Sequence, residues 1–222
     1  MIKQTITFTF LALTLLCAGL QAVNELWEAV RQDDPQKVLA LLQAGANPDG
    51  DNKGKTPLVS AAAWNRMEIA KILLDNPYKK ANINITDITI GTPLEIAASR
   101  GNVDMVQFLL KQGADPNIEG NLTPLQIIAL PGDEGPTRVF QITKLLLDYG
   151  ADLTVKDSYG NTVIDYAKFS MFKEKPNTAF LEAVKEWQDK EKKEKLFKKQ
   201  IFSKATEKEF EDIEFRFGGE KL

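Results

Sequence analysis

The chain has 222 residues and no histidine, and its single cysteine, Cys17, lies in an N-terminal apolar run. The remainder therefore has neither residue. Their absence removes the usual zinc ligands, the Ser-His and Cys-His nucleophile pairs, and the common axial ligands of haem, so no cofactor is implied. Excess basic charge is missing too: 28 Lys and Arg stand against 31 Asp and Glu, a formal net charge of -3, with a pI near 5.3. That balance gives no general attraction to phosphate backbones, and nucleic acid is not an expected partner. Phosphate-binding glycine loops and nucleophile motifs are absent, and the many carboxylates fall where solvated hairpins and outer helix faces are expected. The chain reads as a non-enzyme. Long apolar runs are lacking as well, since the one run, Ile6 to Leu16, is too short to cross a bilayer comfortably.

What is present is the composition of a soluble globular chain, 43% hydrophobic and 27% charged, long enough for one domain with extensions. Residues Met1 to Ala22 begin with Lys3, continue through the apolar run and end in the small-residue segment Cys17-Ala18-Gly19-Leu20-Gln21-Ala22. This is the layout of a secretory signal peptide with cleavage after Ala22. Cys17 raises the alternative of lipidation, which the bulky Leu16 before it disfavours. Cleavage would leave a mature chain free of cysteine, compatible with an oxidising compartment but not using it for disulfides.

From Asn24 onward the chain repeats itself. Four turn openings align: Gly54-Lys55-Thr56-Pro57-Leu58, Gly91-Thr92-Pro93-Leu94, Asn121-Leu122-Thr123-Pro124-Leu125 and Gly160-Asn161-Thr162-Val163-Ile164. Each opens a helix, because threonine caps a helix start and proline fits the first helical position, where no N–H is needed. A small pair follows in Ala61-Ala62 and Ala97-Ala98, more loosely in Ile128-Ala129, and lets the first helix approach its neighbour closely. The second helix shows an aliphatic stripe: Ile69, Ile72, Leu73 and Leu74; Met105, Val106, Leu109 and Leu110; Ile142, Leu145, Leu146 and Leu147. These stripes are core. Gly45, Gly113 and Gly150 then stand at helix C-caps. The turn-rich segments Asn47 to Lys53, Asp115 to Asn121 and Asp152 to Tyr159 connect one unit to the next.

The TPL openings, small pairs, aliphatic stripes and the GADPN run resemble an ankyrin repeat, over roughly Asn24 to Phe169. The resemblance implies an all-α solenoid of about five helix-turn-helix units, joined by finger-like hairpins and closed by a C-terminal capping helix. Units begin near Asn24, Asp51, Asp87, Gly120 and Asp157, the last incomplete. The first has no hairpin in front and reads as an N-terminal cap, since an end unit must turn a polar face outward. Departures from the family pattern are informative. The histidine that usually follows TPL is replaced by Val59, Glu95 and Gln126, so its hydrogen bonds are not expected. Insertions interrupt the second unit at Asn76 to Lys80 and the fourth at Leu130 to Arg138. Pro131-Gly132 and Gly135-Pro136 mark the latter as a loop, a place where recognition often sits.

Beyond Phe169, Lys173-Glu174-Lys175-Pro176 breaks the chain, and Asn177 or Thr178 can cap a helix with Phe180, Val184 and Trp187 on one face. From Gln188 to Lys199 the mixed charges suggest a solvated helix, and Glu207 to Leu222 sets Phe210, Ile213, Phe215 and Phe217 among acids. The expected organisation is a signal peptide over 1–22, a repeat domain over 23–169 and a helical extension with tail over 170–222.

The resemblance to short periplasmic ankyrin proteins implies a binding module monomeric when free, with another protein as partner, residence in the periplasm and no stable membrane insertion after signal cleavage. Contacts would fall at finger tips and the ends of first helices: Asn52, Lys53, Lys55, Trp64, Ile88, Thr89, Ser99, Arg100, Ser158 and Tyr159. The jobs it suggests are neutralising a toxic secreted enzyme, escorting a resident envelope protein, or acting as an effector in a host cell.

Overall fold

The computed structural model describes residues 25–50, 56–87, 89–118, 122–130, 135–157, 159–168 and 176–202, the side chains of residues 200–202 excepted. Residues 1–24, which include the expected signal peptide, the tail after 202, residues 131–134 of the fourth unit's insertion and part of each finger lie outside these residues, whereas the insertion Asn76 to Lys80 lies within them. Among them the chain is helical: α1 over residues 25–31, α2 Pro35–Gln43, α3 Pro57–Ala63, α4 Met67–Asp75, α5 Pro93–Ser99, α6 Val103–Lys111, α7 Pro124–Ala129, α8 Pro136–Asp148, α9 Val163–Lys168 and α10 Thr178–Phe202. No strand of more than one bridging pair forms among the described residues; isolated antiparallel bridges, Asp87 with Gly91 and Lys156 with Thr162, pinch the bases of two fingers.

The helices stack in two rows. First helices follow one another as α3, α5, α7 and α9, while α2 lies on α4 and the second helices continue as α6, α8 and α10. One apolar core runs through the stack, from Leu26 and Val30 through Leu58, Leu73, Leu94, Leu109, Leu125 and Ile142 to Val163 and Phe180. The small pairs do what was expected of them: Ala61, Ala62, Ala97, Ala98 and Ala129 are wholly buried. Gly45, Gly113 and Gly150 have φ of +92°, +91° and +86°. Each alanine that follows one of them donates its N–H across the closed turn, Ala46 to Leu41, Ala114 to Leu109 and Ala151 to Leu146. In the second unit Ala81 reaches Leu73 instead, eight positions back rather than five, so the insertion at Asn76 to Lys80 is absorbed between the same two anchoring points.

The missing TPL histidine has a substitute. In α5 the Thr92 hydroxyl accepts from the Glu95 amide and Glu95 Oε2 accepts from the Thr92 amide at 2.8 Å, while α7 closes the same box with Thr123 and Gln126. Two otherwise orphaned donors are thereby satisfied at each helix start. This explains Gly91 as well, because a Cβ there would stand 1.7 Å from Glu95 Oε2. Thr56 lacks such a box and donates its hydroxyl to Asp87 of the next unit, at 3.1 Å.

Two sequence expectations need correction. The fourth unit's insertion ends at Gly135, not Arg138: Pro136, Thr137 and Arg138 form the first turn of α8, where proline is at home. The fifth unit, expected to be incomplete, has a second helix in α10, which packs on α8 and touches α9. Asn177 makes the equivalence concrete. Its Oδ1 accepts from the Phe180 amide at the start of α10, and its Nδ2 donates to the carbonyls of Ile128 and Ala129 at the end of α7, at 3.0 and 3.2 Å. Asn102, at the start of α6, likewise donates to the Ala62 carbonyl at the end of α3, at 3.2 Å. In both cases the asparagine ties a second helix to the first helix of the unit before.

Candidate binding surface

The fingers are built around aspartates. Asp87 Oδ1 accepts from the amide and hydroxyl of Thr89, at 2.8 and 2.5 Å, and its Oδ2 accepts from Thr56. Burial opposes ionisation of Asp87, yet hydrogen bonds from Thr89, Thr56 and the Ile90 amide outweigh it and hold its carboxyl below the usual carboxylate range. Asp157 organises the last finger in the same way, accepting from the amides of Tyr159 and Asn161, each at 2.8 Å. Its Oδ2 also receives the Tyr166 hydroxyl at 2.6 Å. Asp157 is consequently lowered to about 2, with the Tyr166 hydrogen bond the largest cause, and Tyr166 is raised to about 12 by the same bond.

A side-chain ladder holds the connections behind the fingers in register. Asp49 accepts from the Asn82 amide at 2.7 Å, Asn84 from the Asp115 amide at 3.0 Å and Asn117 from the Asp152 amide at 2.8 Å. Each of the first three connections thus accepts from the one after it. Bonds of this kind, each contributing roughly 0.5–1.5 kcal/mol, fix the spacing of neighbouring units.

On this frame the expected contact residues fall into two rows. Trp64 and Arg100 are the C-caps of the adjacent helices α3 and α5. Trp64 is 39% exposed and lies against Trp27, with ring centroids 5.8 Å apart and planes tilted by 60°. Trp27 donates its indole N–H to Ser60 at 2.9 Å, which fixes the pair to α3. Ser99 is half-buried and gives its hydroxyl to the Ile96 carbonyl; Arg100 is exposed. The second row is at the finger tips, where Thr89 is exposed and Tyr159 is 89% exposed. Asn52, Lys53, Lys55, Ile88 and Ser158 lie outside the described residues. Sequence reasoning did not single out Ile90, 42% exposed beside Thr89, or the organising aspartates Asp87 and Asp157. An aspartate ahead of a finger tip is the available signal, since its side chain caps amides two residues on.

No group of three or more His, Cys, Asp or Glu able to hold a metal occurs among the described residues. No helix among them is long and apolar enough to cross a membrane. What the geometry of the described residues defines is a scaffold: stacked helix pairs with a row of helix ends beside the finger bases, a class of protein that works by presenting surface. The family model for ankyrin repeats (3 copies) matches residues 26–120 and 94–174, so the chain belongs to the ankyrin repeat family. It is 35% identical over 100 residues to ankyrin repeat and SOCS box protein 2 of Bos taurus, covering 45% of this chain and 16% of that protein. It is 30% identical over 119 residues to alpha-latrocrustotoxin-Lt1a of Latrodectus tredecimguttatus, 47% of this chain and 8% of the toxin. Identity to the E3 ubiquitin-protein ligase KEG of Arabidopsis thaliana is 29% over 201 residues, 86% of this chain and 11% of the ligase. The chain therefore spans only a small part of these relatives. Its repeats make it a protein–protein interaction module.

Proposed function

We propose that the chain is an exported inhibitor of the immunity type, which binds a secreted toxic enzyme in the periplasm through its fingers and first-helix ends. The observation that carries the binding surface is the placement of Trp64, Ile90 and Tyr159, large apolar or aromatic side chains left exposed on fingers and helix ends that are otherwise tied down by hydrogen bonds. Rigid aromatic anchors supply much of the energy of protein interfaces because they bury large area at little entropic cost. Export rests on the layout of Met1 to Ala22.

The test uses the full chain expressed in a Gram-negative host and fractionated, with its N-terminus sequenced. Export predicts a mature protein beginning at Val23 in the periplasm; a full-length cytoplasmic chain would end that part of the reading. The periplasmic protein is then immobilised and presented with secreted proteins. Retention of one stoichiometric enzyme, with its activity suppressed, is the expected result. Tyr159→Ala should weaken retention without affecting the fold, since the ring is almost fully exposed. A captured envelope protein with undiminished activity would favour the escort reading instead.

A further inference from the structure

Helix α10 is far longer than the element it replaces. At about 1.5 Å per residue its 25 residues extend about 37 Å, whereas the nine residues of α6 extend about 13 Å. Its first part is core, with Phe180 and Ala183 wholly buried and Val184 at 4% exposure. Lys144 with Glu186 at 3.1 Å and Lys190 with Asp148 at 3.5 Å tie it to α8. A cleft against Leu147 and Asp148 of α8 reaches as far as Glu194, and beyond it the helix overhangs. Lys192, Lys195, Leu196 and Lys199 share one face by their i, i+3, i+4, i+7 spacing, and all are exposed. Leu196 and the adjacent Phe197 are 58% and 60% exposed, large apolar groups with no counterpart on the other second helices. Among the described residues Lys195 pairs with Glu191 of its own helix, at 3.0 Å.

The occupant that fits is written a few residues further on. Residues 207–214 repeat the spacing with the opposite sign: Glu207, Phe210, Glu211 and Glu214 stand at i, i+3, i+4 and i+7. Residues 190–199 hold six lysines and two glutamates, a net +4, and residues 207–214 hold five acids and one lysine, a net -4. The connection, residues 203–206, has a length typical of the link between two antiparallel helices. An antiparallel return through it would bring Leu196 level with Ile213 and Lys195 level with Glu214. We propose that the lysine face of the α10 overhang is the docking site of the chain's own acidic and aromatic segment 207–217, which runs antiparallel along it and covers Leu196. The tail thus shields a surface that would otherwise invite association.

The test is zero-length carbodiimide cross-linking of an equimolar mixture of light and isotopically heavy full chain, with the linked peptides mapped by mass spectrometry. The expected links join Lys195 to Glu214 and Lys199 to Glu211, with weaker links from the tail to the flanking Lys193 and Lys198, light to light and heavy to heavy only. In the triple variant Lys192→Glu, Lys195→Glu, Lys199→Glu, links from the tail to the untouched Lys193 and Lys198 should fall by about tenfold, because like charges now face each other. Adding Glu207→Lys, Glu211→Lys and Glu214→Lys should restore docking with links in the opposite sense. An unchanged melting temperature shows that the variants remain folded. Mixed light–heavy links would overturn the proposal in favour of a second copy. Links to Lys193 that persist in the triple variant, or tail carboxylates spread evenly over distant lysines such as Lys71, would overturn it outright.

Discussion

The third and fifth units share a local grammar and differ in what surrounds it. Each has a finger organised by an aspartate, Asp87 or Asp157. In each a carboxylate at the first turn of the inner helix reaches back to a threonine, Glu95 to Thr92 and Asp165 to Thr162. An asparagine then pins the outer helix to the unit before, Asn102 or Asn177. Yet Asp87 is 4% exposed and bonded across units to Thr56, whereas Asp157 bonds within its own unit to Tyr166. A middle unit has neighbours on both sides to bury and bond its groups; an end unit must satisfy them from within. The same sequence device therefore acts as a joint between units in one place and as a local brace in the other.

The widest gap this predicts is along α10. Phe180→Ala removes a wholly buried ring from the helix that completes the fifth unit and should cost about 3–5 kcal/mol in urea unfolding. Phe197→Ala on the overhang should cost less than about 0.5 kcal/mol. Comparable losses at the two positions would mean that the overhang is packed as tightly as the core. Next is Asp87→Ala, which strands the buried Thr56 hydroxyl and should cost about 1–3 kcal/mol. The substitution Asp157→Ala should loosen only its own finger, seen as faster amide exchange at Tyr159 and Asn161 with the third unit unchanged. A smaller effect is expected at the asparagine pins, where losing a cap costs about 1 kcal/mol. Asn177→Ala should exceed Asn102→Ala, because Asn177 caps α10 as well as binding the α7 carbonyls.

The pH dependence sharpens the contrast most finely. Asp157 is lowered to about 2, so its bond stabilises the fold above the ordinary aspartate range and is lost as pH falls through about 2. Tyr166 is raised to about 12, so its contribution is present below the ordinary tyrosine value and lost as pH rises through about 12. Tyr166→Phe should return the Asp157 carboxyl toward its ordinary range, followed by NMR titration, while leaving the Asp87 carboxyl where it was. A parallel change at Asp87 would show that the two fingers are coupled.

Much of the fold was legible in particular residues. Thr92-Pro93 and Thr123-Pro124 announced helix starts, Gly113 and Gly150 announced helix ends, and the aliphatic stripes announced the outer row. Each of these signals acts over a few residues, within the reach of backbone geometry and helical spacing. The boxes at Glu95 and Gln126 were legible too, in the Thr-x-x-Glu and Thr-x-x-Gln spacing, at the position where the family pattern has a histidine. The insertion's true end at Gly135 was harder to see, since proline both breaks helices and starts them. At the surface, Tyr159 could be foreseen as a finger tip, whereas the pairing of Trp64 with Trp27 could not. That contact joins residues from different units, and no local pattern encodes it.

By itself, then, the sequence determined the repeating unit, because capping, small pairs, stripes and C-cap glycines all rest on short-range sterics and hydrogen bonding. The tertiary structure alone decided what each unit became in the stack. It made α10 the second helix of the fifth unit, turned Asp87 into a bond between units and Asp157 into a bond within one, and left Leu196 and Phe197 beyond the edge of the core. Those outcomes depend on which faces meet, and burial is a property of neighbours that lie far apart in the chain.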